Sequence, residues 1–358
     1  MNNDLIDIVK VFPVVSDKIQ QIIPFGSGHI NDTYKLESVS GTYVLQRINH
    51  HIFKDVPALT ANIIKVTDFM ARKIDSSGSA MKIPCFYPTR NNRYFYRDSL
   101  GNYWRLMCFI EDTRSYDLVP NADIAYQGGK AYGWFVQSLS DFPVAELTET
   151  IPLFHDIDFR LQNFNNAIDK DAVNRVGEIK QEIEFINRRA GEMHRILQLG
   201  KAKKLPLRVT HNDTKINNVL FNQDHQSIAV IDLDTVMPGY VHYDFGDAIR
   251  TFTNTANEDE PDLSKVGINM DYFKAFSRGF LSETQEILSP LEKKYLAFSA
   301  RLMTYIIGLR FLTDYLNGDT YFKTAYPEHN LVRARNQFRL VESMEEHYAE
   351  MKAFIDHL

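Results

Sequence analysis

The polar run His211-Asn212-Asp213-Thr214-Lys215-Ile216-Asn217-Asn218 puts a carboxylate, three carboxamides and a cation in one loop. A second carboxylate, Asp232, follows at hairpin distance. These groups suit phosphoryl transfer. That reaction needs a base to orient and deprotonate an attacking hydroxyl, and oxygen ligands to hold magnesium on nucleotide phosphates. Asp213 is the candidate base, and Asn218 and Asp232 are the candidate Mg2+ ligands. A carboxylate with asparagine five positions on also arises in ordinary solvated turns. The complete series, headed by His211 and flanked by strand-forming runs, favours the catalytic reading.

Leu207–Thr210, Val219–Phe221 and Ile228–Ile231 are short apolar runs bounded by polar turn residues, so the stretch reads as strand, loop, strand, turn, strand. The loop has the His-x-Asp-x-x-x-x-Asn form of a kinase catalytic loop. Asp244-Phe245-Gly246 spells the metal-binding motif of protein kinases, but it falls too late in the chain to close the hairpin after Asn218. Asp244 or Asp247 is instead expected to cap the helix that Asp247–Phe252 begins.

A nucleotide also needs a cover and an adenine slot. Pro24–Tyr34 reads as a hairpin with Gly26, Ser27 and Gly28 at its turn, where backbone amides can approach ATP phosphates. The alternative is an ordinary hairpin turn. The next strand, Thr42–Ile48, lacks the lysine that pairs with phosphates in kinases; Gln46 and Arg47 stand there, on opposite faces, so one of them enters the cleft. Tyr103–Ile110 is a strongly apolar strand, and Phe109 and Ile110 at its end are candidates for the hinge that holds adenine; the alternative is a plain core strand.

Further elements follow from periodicity. Helical spacing marks Ala58–Ile74, Ala122–Leu139, Ala172–Leu199, Met270–Leu281, Pro290–Leu316 and Leu331–Leu358, with a short helix within residues 4–20. Met81–Tyr87 and Arg93–Arg97 read as strands. Asn254–Leu263 is an acidic, exposed loop. The length of 358 residues allows two lobes, and 24% charged with 44% hydrophobic residues is ordinary for a globular chain. A net charge of -6 excludes a general nucleic-acid binder. Two cysteines, Cys85 and Cys108, point to a reducing compartment. The N-terminal stretch lacks the basic start of a signal peptide and no uncharged run reaches membrane-spanning length, so the expected location is cytoplasmic, with no membrane partner.

Arg310–Phe322 offers charged and amide groups for sugar hydroxyls and aromatic faces for sugar C–H patches. The same residues also suit a core with a helix salt bridge. Asp234, two residues beyond Asp232, shares its side if the strand continues, and could orient sugar hydroxyls.

HNDTKINN, IDLDT and DFGD together resemble the aminoglycoside phosphotransferase and choline kinase-like superfamily. Within it, FGSGHINDTY, TRSYDLVPN, LTETIPLFHD, GLRFLTDYLNGDTYF and YPEHNLVRAR are most similar to the N-acetylhexosamine 1-kinases, over nearly the whole chain. The resemblance implies a two-lobed, protein-kinase-like α+β fold: a small antiparallel sheet lobe, residues 1–112, and a larger, mainly helical lobe, residues 113–358. It implies ATP-dependent phosphorylation of the anomeric hydroxyl of N-acetylglucosamine or N-acetylgalactosamine. It places His29 toward the sugar and turns Arg310 and Tyr321 into sugar contacts. The missing lysine is shared by that subfamily. The rival readings are a kinase of another small alcohol (an amino alcohol, homoserine or an aminoglycoside), for which the acidic loop speaks, and a catalytically dead nucleotide-binding scaffold.

Overall fold

Alternating apolar residues near the N-terminus build a sheet with two different faces. The computed structural model describes residues 3–26, 30–77 and 79–358; Ser27, Gly28 and His29, expected at the nucleotide and sugar, lie outside the described residues. Helix α1 (Asn3–Val9) precedes β1 (Ile19–Pro24), β2 (Asp32–Ser38) and β3 (Thr42–Ile48), followed by α2 (Val56–Ser77), β4 (Phe86–Tyr87), β5 (Tyr96–Arg97) and β6 (Tyr103–Cys108). The sheet is antiparallel in the order β1-β2-β3-β6-β4, with β5 also on β6. Tyr43 and Leu45 of β3, with Leu36, Trp104 and Leu106, pack against Leu5, Val9 and Phe12. Residues of the other parity, Gln46 and Ile48, face the opposite way, and Ile48 joins the core shared with α2 and the C-terminal part.

The expected strands Met81–Tyr87 and Arg93–Arg97 shrink to the two-residue β4 and β5. Pro84 has no N–H to give a ladder, and the Lys82 N–H is drawn off to the Ile228 carbonyl, 2.6 Å away in the other lobe.

The C-terminal part is helical around two small hairpins. It runs through α3 (Ala122–Ser138), α4 (Ile157–Lys170), α5 (Lys180–Met193), α6 (Arg195–Lys201), β7 (Arg208–Thr210), β8 (Val219–Phe221), β9 (Ser227–Val230), β10 (Met237–Gly239), α7 (Val241–Thr253), α8 (Met270–Thr284), α9 (Pro290–Lys294), α10 (Leu296–Leu316), α11 (His329–Glu346) and α12 (Tyr348–His357). β7 pairs with β10, and β8 with β9. Three expected long helices are each broken: 172–199 at His194, 290–316 at Tyr295 and 331–358 at His347. The first also starts late. Asp171 ends α4 in a left-handed conformation, and its carboxylate accepts the Arg175 and Val176 N–H groups, so the chain turns there before α5. α4, not anticipated, is capped by the Asp156 carboxylate, which accepts the Phe159 N–H at 2.9 Å.

α10 is apolar on every side, as a helix enclosed by others must be. It is long and apolar enough to pass for a membrane span, but 89% of its most apolar window is buried within the fold.

α3 and α8 meet backbone to backbone. A Cβ on Gly129 would stand 2.1 Å from the Phe276 carbonyl oxygen, and one on Gly279 would stand 2.1 Å from that of Tyr126. Backbone cannot swing aside as a side chain can. Gly129→Ala should therefore cost about 1–3 kcal/mol through overpacking, read as a lower unfolding midpoint. Gly191→Ala, where the new Cβ meets nothing within 4 Å, is the control and should keep the native midpoint or exceed it.

Candidate active site

β7 carries the chain to His211, whose buried ring fixes the start of the catalytic loop. His211 Nε2 lies 2.9 Å from the Ile231 carbonyl oxygen, and Tyr132 and Phe135 meet the ring edge-on. Asn212 takes a left-handed conformation (φ 63°), and its amide donates to the Thr235 carbonyl at 2.9 Å. The loop's own amides are then captured from α7. Asp244 accepts the His211 and Asn212 N–H groups, each at 2.8 Å, and Asp247 accepts the Thr214 N–H at 2.9 Å.

This corrects the expectation that Asp244 or Asp247 caps a helix. α7 starts earlier, at Val241, without a side-chain cap. The two aspartates stand three residues apart inside it, on one face, and that face covers the catalytic loop. Burial pushes the Asp244 pKa up to about 6, against the pull of His211 and the two amides. Asp247 is equally enclosed, yet Arg250 beside it holds its pKa below the usual range.

Asp213 is half-buried, with Lys215 Nζ 3.0 Å from its carboxylate. The Asn218 side-chain N–H donates to the Asp213 carbonyl at 2.9 Å and reaches its carboxylate at 3.2 Å, which leaves Asn218 Oδ1 free to face a cation. The β8–β9 hairpin closes with the Ile231 N–H on the Asn218 carbonyl, so Asp232 follows beside Asn218. Asp232 opens to solvent in the cleft, but surrounding protein first, and then the Asp234 and Asp213 carboxylates, push its pKa up to about 7. A site with this excess of negative charge, and with hard oxygen donors at Asn218 and Asp232, fits magnesium that draws its other ligands from phosphates and water. Among the described residues no cluster of three acidic, histidine or cysteine ligands forms a closed metal cage.

The strand does not continue to Asp234. Asp232 is left-handed (φ 61°), and Leu233–Thr235 coil into a single 3-10 turn. Asp234 is thereby rotated into the seam between the lobes, only 2% exposed. One of its oxygens accepts the Asn31 amide at 2.6 Å, and the other is paired with Arg105. The carboxylate therefore does not stand open to sugar hydroxyls.

Arg105 also engages the strand that lacks the lysine. It sits on β6 directly opposite Gln46 on β3, and donates to Gln46 Oε1 at 2.9 and 2.6 Å. Gln46 is the inward residue, steadied by a 2.9 Å bond to Thr33 Oγ1, whereas Arg47 turns outward to an exposed pair with Asp32. The cation enters from the neighbouring strand. Just past β1, Gly26 is left-handed (φ 79°), and Phe25 beside it packs edge-on against Phe109 with centroids 5.6 Å apart. The Ile110 carbonyl accepts the Thr113 hydroxyl at 2.7 Å.

The sequence matches the phosphotransferase enzyme family over residues 21–268. The chain belongs to that family. Solved structures with the same fold include an aminoglycoside phosphotransferase from Alicyclobacillus acidocaldarius (12% identity, TM-score 0.59, covering 98% of this chain and 96% of that one). Spectinomycin phosphotransferase APH(9)-Ia, in complex with ADP and spectinomycin, is similar at 16% identity and TM-score 0.56, covering 99% and 98%. Choline kinase from Cryptosporidium parvum is similar at 17% identity and TM-score 0.57, covering 100% and 97%. The small antiparallel sheet and helical C-terminal part are the kinase-like α+β architecture of this phosphotransferase family.

On the far side of the catalytic loop, this phosphotransferase has a basic and aromatic cluster. His155 Nε2 lies 3.4 Å from the Asn212 carbonyl, next to Asp213. Its neighbour Phe154 is covered by Arg310, 4.7 Å from the ring centroid, and accepts two bonds from Arg160 on its carbonyl, at 3.0 and 2.6 Å. Arg310 also reaches the Tyr321 hydroxyl at 3.4 Å and lies over Phe322. Asp314 holds that loop in place, accepting the N–H groups of Thr320, Tyr321 and Phe322 at 2.9, 2.8 and 2.9 Å. Among the described residues, neither arginine has a carboxylate within ion-pair distance. Burial and Arg310 together push the Arg160 pKa down to about 9, and burial and Arg310 likewise push His155 down to about 3. His155 is therefore neutral across the physiological range.

Sequence reasoning brought Arg310 and Tyr321 together correctly as neighbours but missed Arg105, Arg160, His155 and Asp314. For Arg105 a signal existed: an arginine inside an apolar strand must find a buried partner. Asp234→Ala, which strands the Arg105 charge, should cost about 3–5 kcal/mol of stability. Arg47→Ala, breaking an exposed pair, should cost less than about 1 kcal/mol. Chemical denaturation of both variants measures the contrast.

Proposed function

We propose that this phosphotransferase moves the γ-phosphate of ATP to the anomeric hydroxyl of N-acetylglucosamine or N-acetylgalactosamine, giving the sugar 1-phosphate. The observation that carries the reading is the acceptor wall: two arginines without acidic partners, Arg160 and Arg310, beside Phe154, Tyr321 and Phe322. A neutral, oxygen-rich acceptor gives guanidinium N–H groups carbonyl and hydroxyl oxygens to bind, and its C–H patches suit the rings. A cationic acceptor such as choline or an aminoglycoside would meet two like charges there.

The acidic loop offers such an acceptor little. Glu258 is paired with Arg250 at 2.6 Å and Asp259 with His329 at 3.3 Å. Glu260 and Asp262 face Lys265 at 3.4 and 3.6 Å. Each of these carboxylates has a basic neighbour, although Lys265 serves two of them and Arg250 also serves Asp247.

In this reading Asp213 orients the acceptor hydroxyl and takes its proton. Lys215, raised in pKa by Asp213 and Asp232 despite its enclosure, keeps a positive charge beside the phosphoryl group in flight. Asn218 and Asp232 hold Mg2+, which when bound neutralises the nucleotide phosphates. The turn at Gly26 covers those phosphates, and Phe109 and Ile110 meet the adenine. Arg310 and Tyr321 hold the sugar. Asp234 is reassigned from sugar contact to a strut for Arg105. Rate enhancement comes mainly from in-line placement and charge neutralisation, with reacting atoms about 3–3.5 Å apart.

ATP consumption across a panel of acceptors, with magnesium present, tests the proposal. The N-acetylhexosamines should exceed choline, ethanolamine, homoserine and aminoglycosides in kcat/KM by about tenfold or more. Asp213→Asn should lower kcat by roughly 10²–10⁴-fold while leaving nucleotide affinity in place. Efficient turnover of a cationic acceptor, with none on the sugars, would overturn it.

A further inference from the structure

Cys85 and Cys108 are the chain's two cysteines, and both thiols are free. The β4–β6 register pairs Phe86 with Met107, so the next pair outward is Cys85 opposite Cys108. The main chain keeps that register: the Cys108 N–H donates to the Cys85 carbonyl at 2.8 Å. The Cys85 N–H turns instead to the Cys108 sulfur, at 3.1 Å. Residues directly opposed in an antiparallel pair share a face of the sheet and have Cα atoms about 4.5 or 5.5 Å apart. A disulfide spans Cα separations of about 4.4–6.8 Å. The backbone is thus already at bonding distance. Cys85 is exposed and Cys108 half-buried, so small oxidants and reductants reach both.

We propose that Cys85 and Cys108 form a reversible oxidation site, a cross-strand dithiol that hydrogen peroxide converts to an intramolecular disulfide. Cys108 is the attacking sulfur. The Cys85 thiol beside it and the Cys85 amide lower its pKa to about 7, whereas the same pairing and burial push Cys85 up. The Cys108 thiolate attacks one peroxide oxygen; the S–O bond forms, the O–O bond breaks and hydroxide leaves. Sulfur is oxidised by two electrons and peroxide is reduced. The Cys85 sulfur then attacks Cys108; the S–S bond forms, the S–O bond breaks, and the departing hydroxide leaves as water with the Cys85 proton.

The bond would fall at a mechanically sensitive place. Cys108 ends β6, immediately before Phe109 and Ile110. Cys85 ends the segment whose Lys82 N–H bonds to Ile228 on β9, across the lobes. A disulfide would tie that bridging segment to the hinge end of β6, and nucleotide affinity should change with it. This second consequence rests on the adenine-binding role proposed for Phe109 and Ile110; the disulfide does not.

The test uses the full, reduced chain treated with hydrogen peroxide and followed by intact mass and by iodoacetamide labelling. The expected result is a loss of about 2 Da with both thiols protected, a peptide linking residues 85 and 108, and full reversal by dithiothreitol. Cys85→Ser should stop at a sulfenic acid on Cys108, trapped by dimedone, with no loss of mass. Thiols that remain alkylatable in oxidised wild-type protein, or a bond formed only between chains, would overturn the site. ATP affinity measured on the oxidised and reduced forms should differ by about threefold or more, while Cys85→Ser should show no such change. A disulfide that forms and leaves ATP affinity unchanged would overturn the hinge coupling alone.

Discussion

The buried ion pair between Arg105 and Asp234 is the constraint around which the cleft is arranged. Its two side chains are each 4% exposed, one on the sheet and the other on the catalytic lobe. In so dry a seam a charge without its partner is strongly unfavourable, so each lobe carries a group that is satisfied only when the other is in place. Gln46 and Asn31 complete the arrangement by accepting from Arg105 and donating to Asp234. The seam thus holds a paired cation beside Gln46, on a strand that has no lysine of its own.

A second consequence concerns which carboxylates remain available. Asp213, Asp232, Asp234, Asp244 and Asp247 all gather near one loop, and hydrogen bonding separates them. Asp234 is taken by Arg105 and Asn31, Asp244 by two consecutive amides, and Asp247 by the Thr214 N–H and Arg250. Asp232 alone among them is left open to the cleft, while Asp213 keeps only Lys215 and the Asn218 amide for company. The same logic of unclaimed charge applies to Arg160 and Arg310, neither of which has a carboxylate within ion-pair distance among the described residues.

Much of this was legible from local pattern. The strand–loop–strand stretch, the inward turn of one of Gln46 and Arg47, and most helices follow from periodicity and turn chemistry. What escaped depends on single backbone conformations or on long-range partners. The left-handed conformation of Asp232 rotates Asp234 away from the cleft, and no sequence period reports it. Asp244 looks like a helix cap because its true donors, the backbone N–H groups of His211 and Asn212, lie far back in the chain. α4, by contrast, was legible and was missed: Ile157, Leu161, Phe164 and Ile168 stand at helical spacing and pack on one core. Arg160 and Arg310 come from separate helices, and their shared lack of acids is visible only once those helices are packed together.

The proposed reaction turns on which acceptor oxygen lies beside Asp213. In the proposed reading, a sugar ring held by Arg310, Tyr321 and the neighbouring aromatic faces would offer several hydroxyls, and a small tilt would exchange one for another. The most direct measurement is the phosphorus–proton NMR spectrum of the product formed from ATP and N-acetylglucosamine. Coupling of the phosphorus to the anomeric proton, in a non-reducing product labile to mild acid, is the predicted result. Coupling to the protons of the primary alcohol carbon, with the reducing end intact, would contradict it.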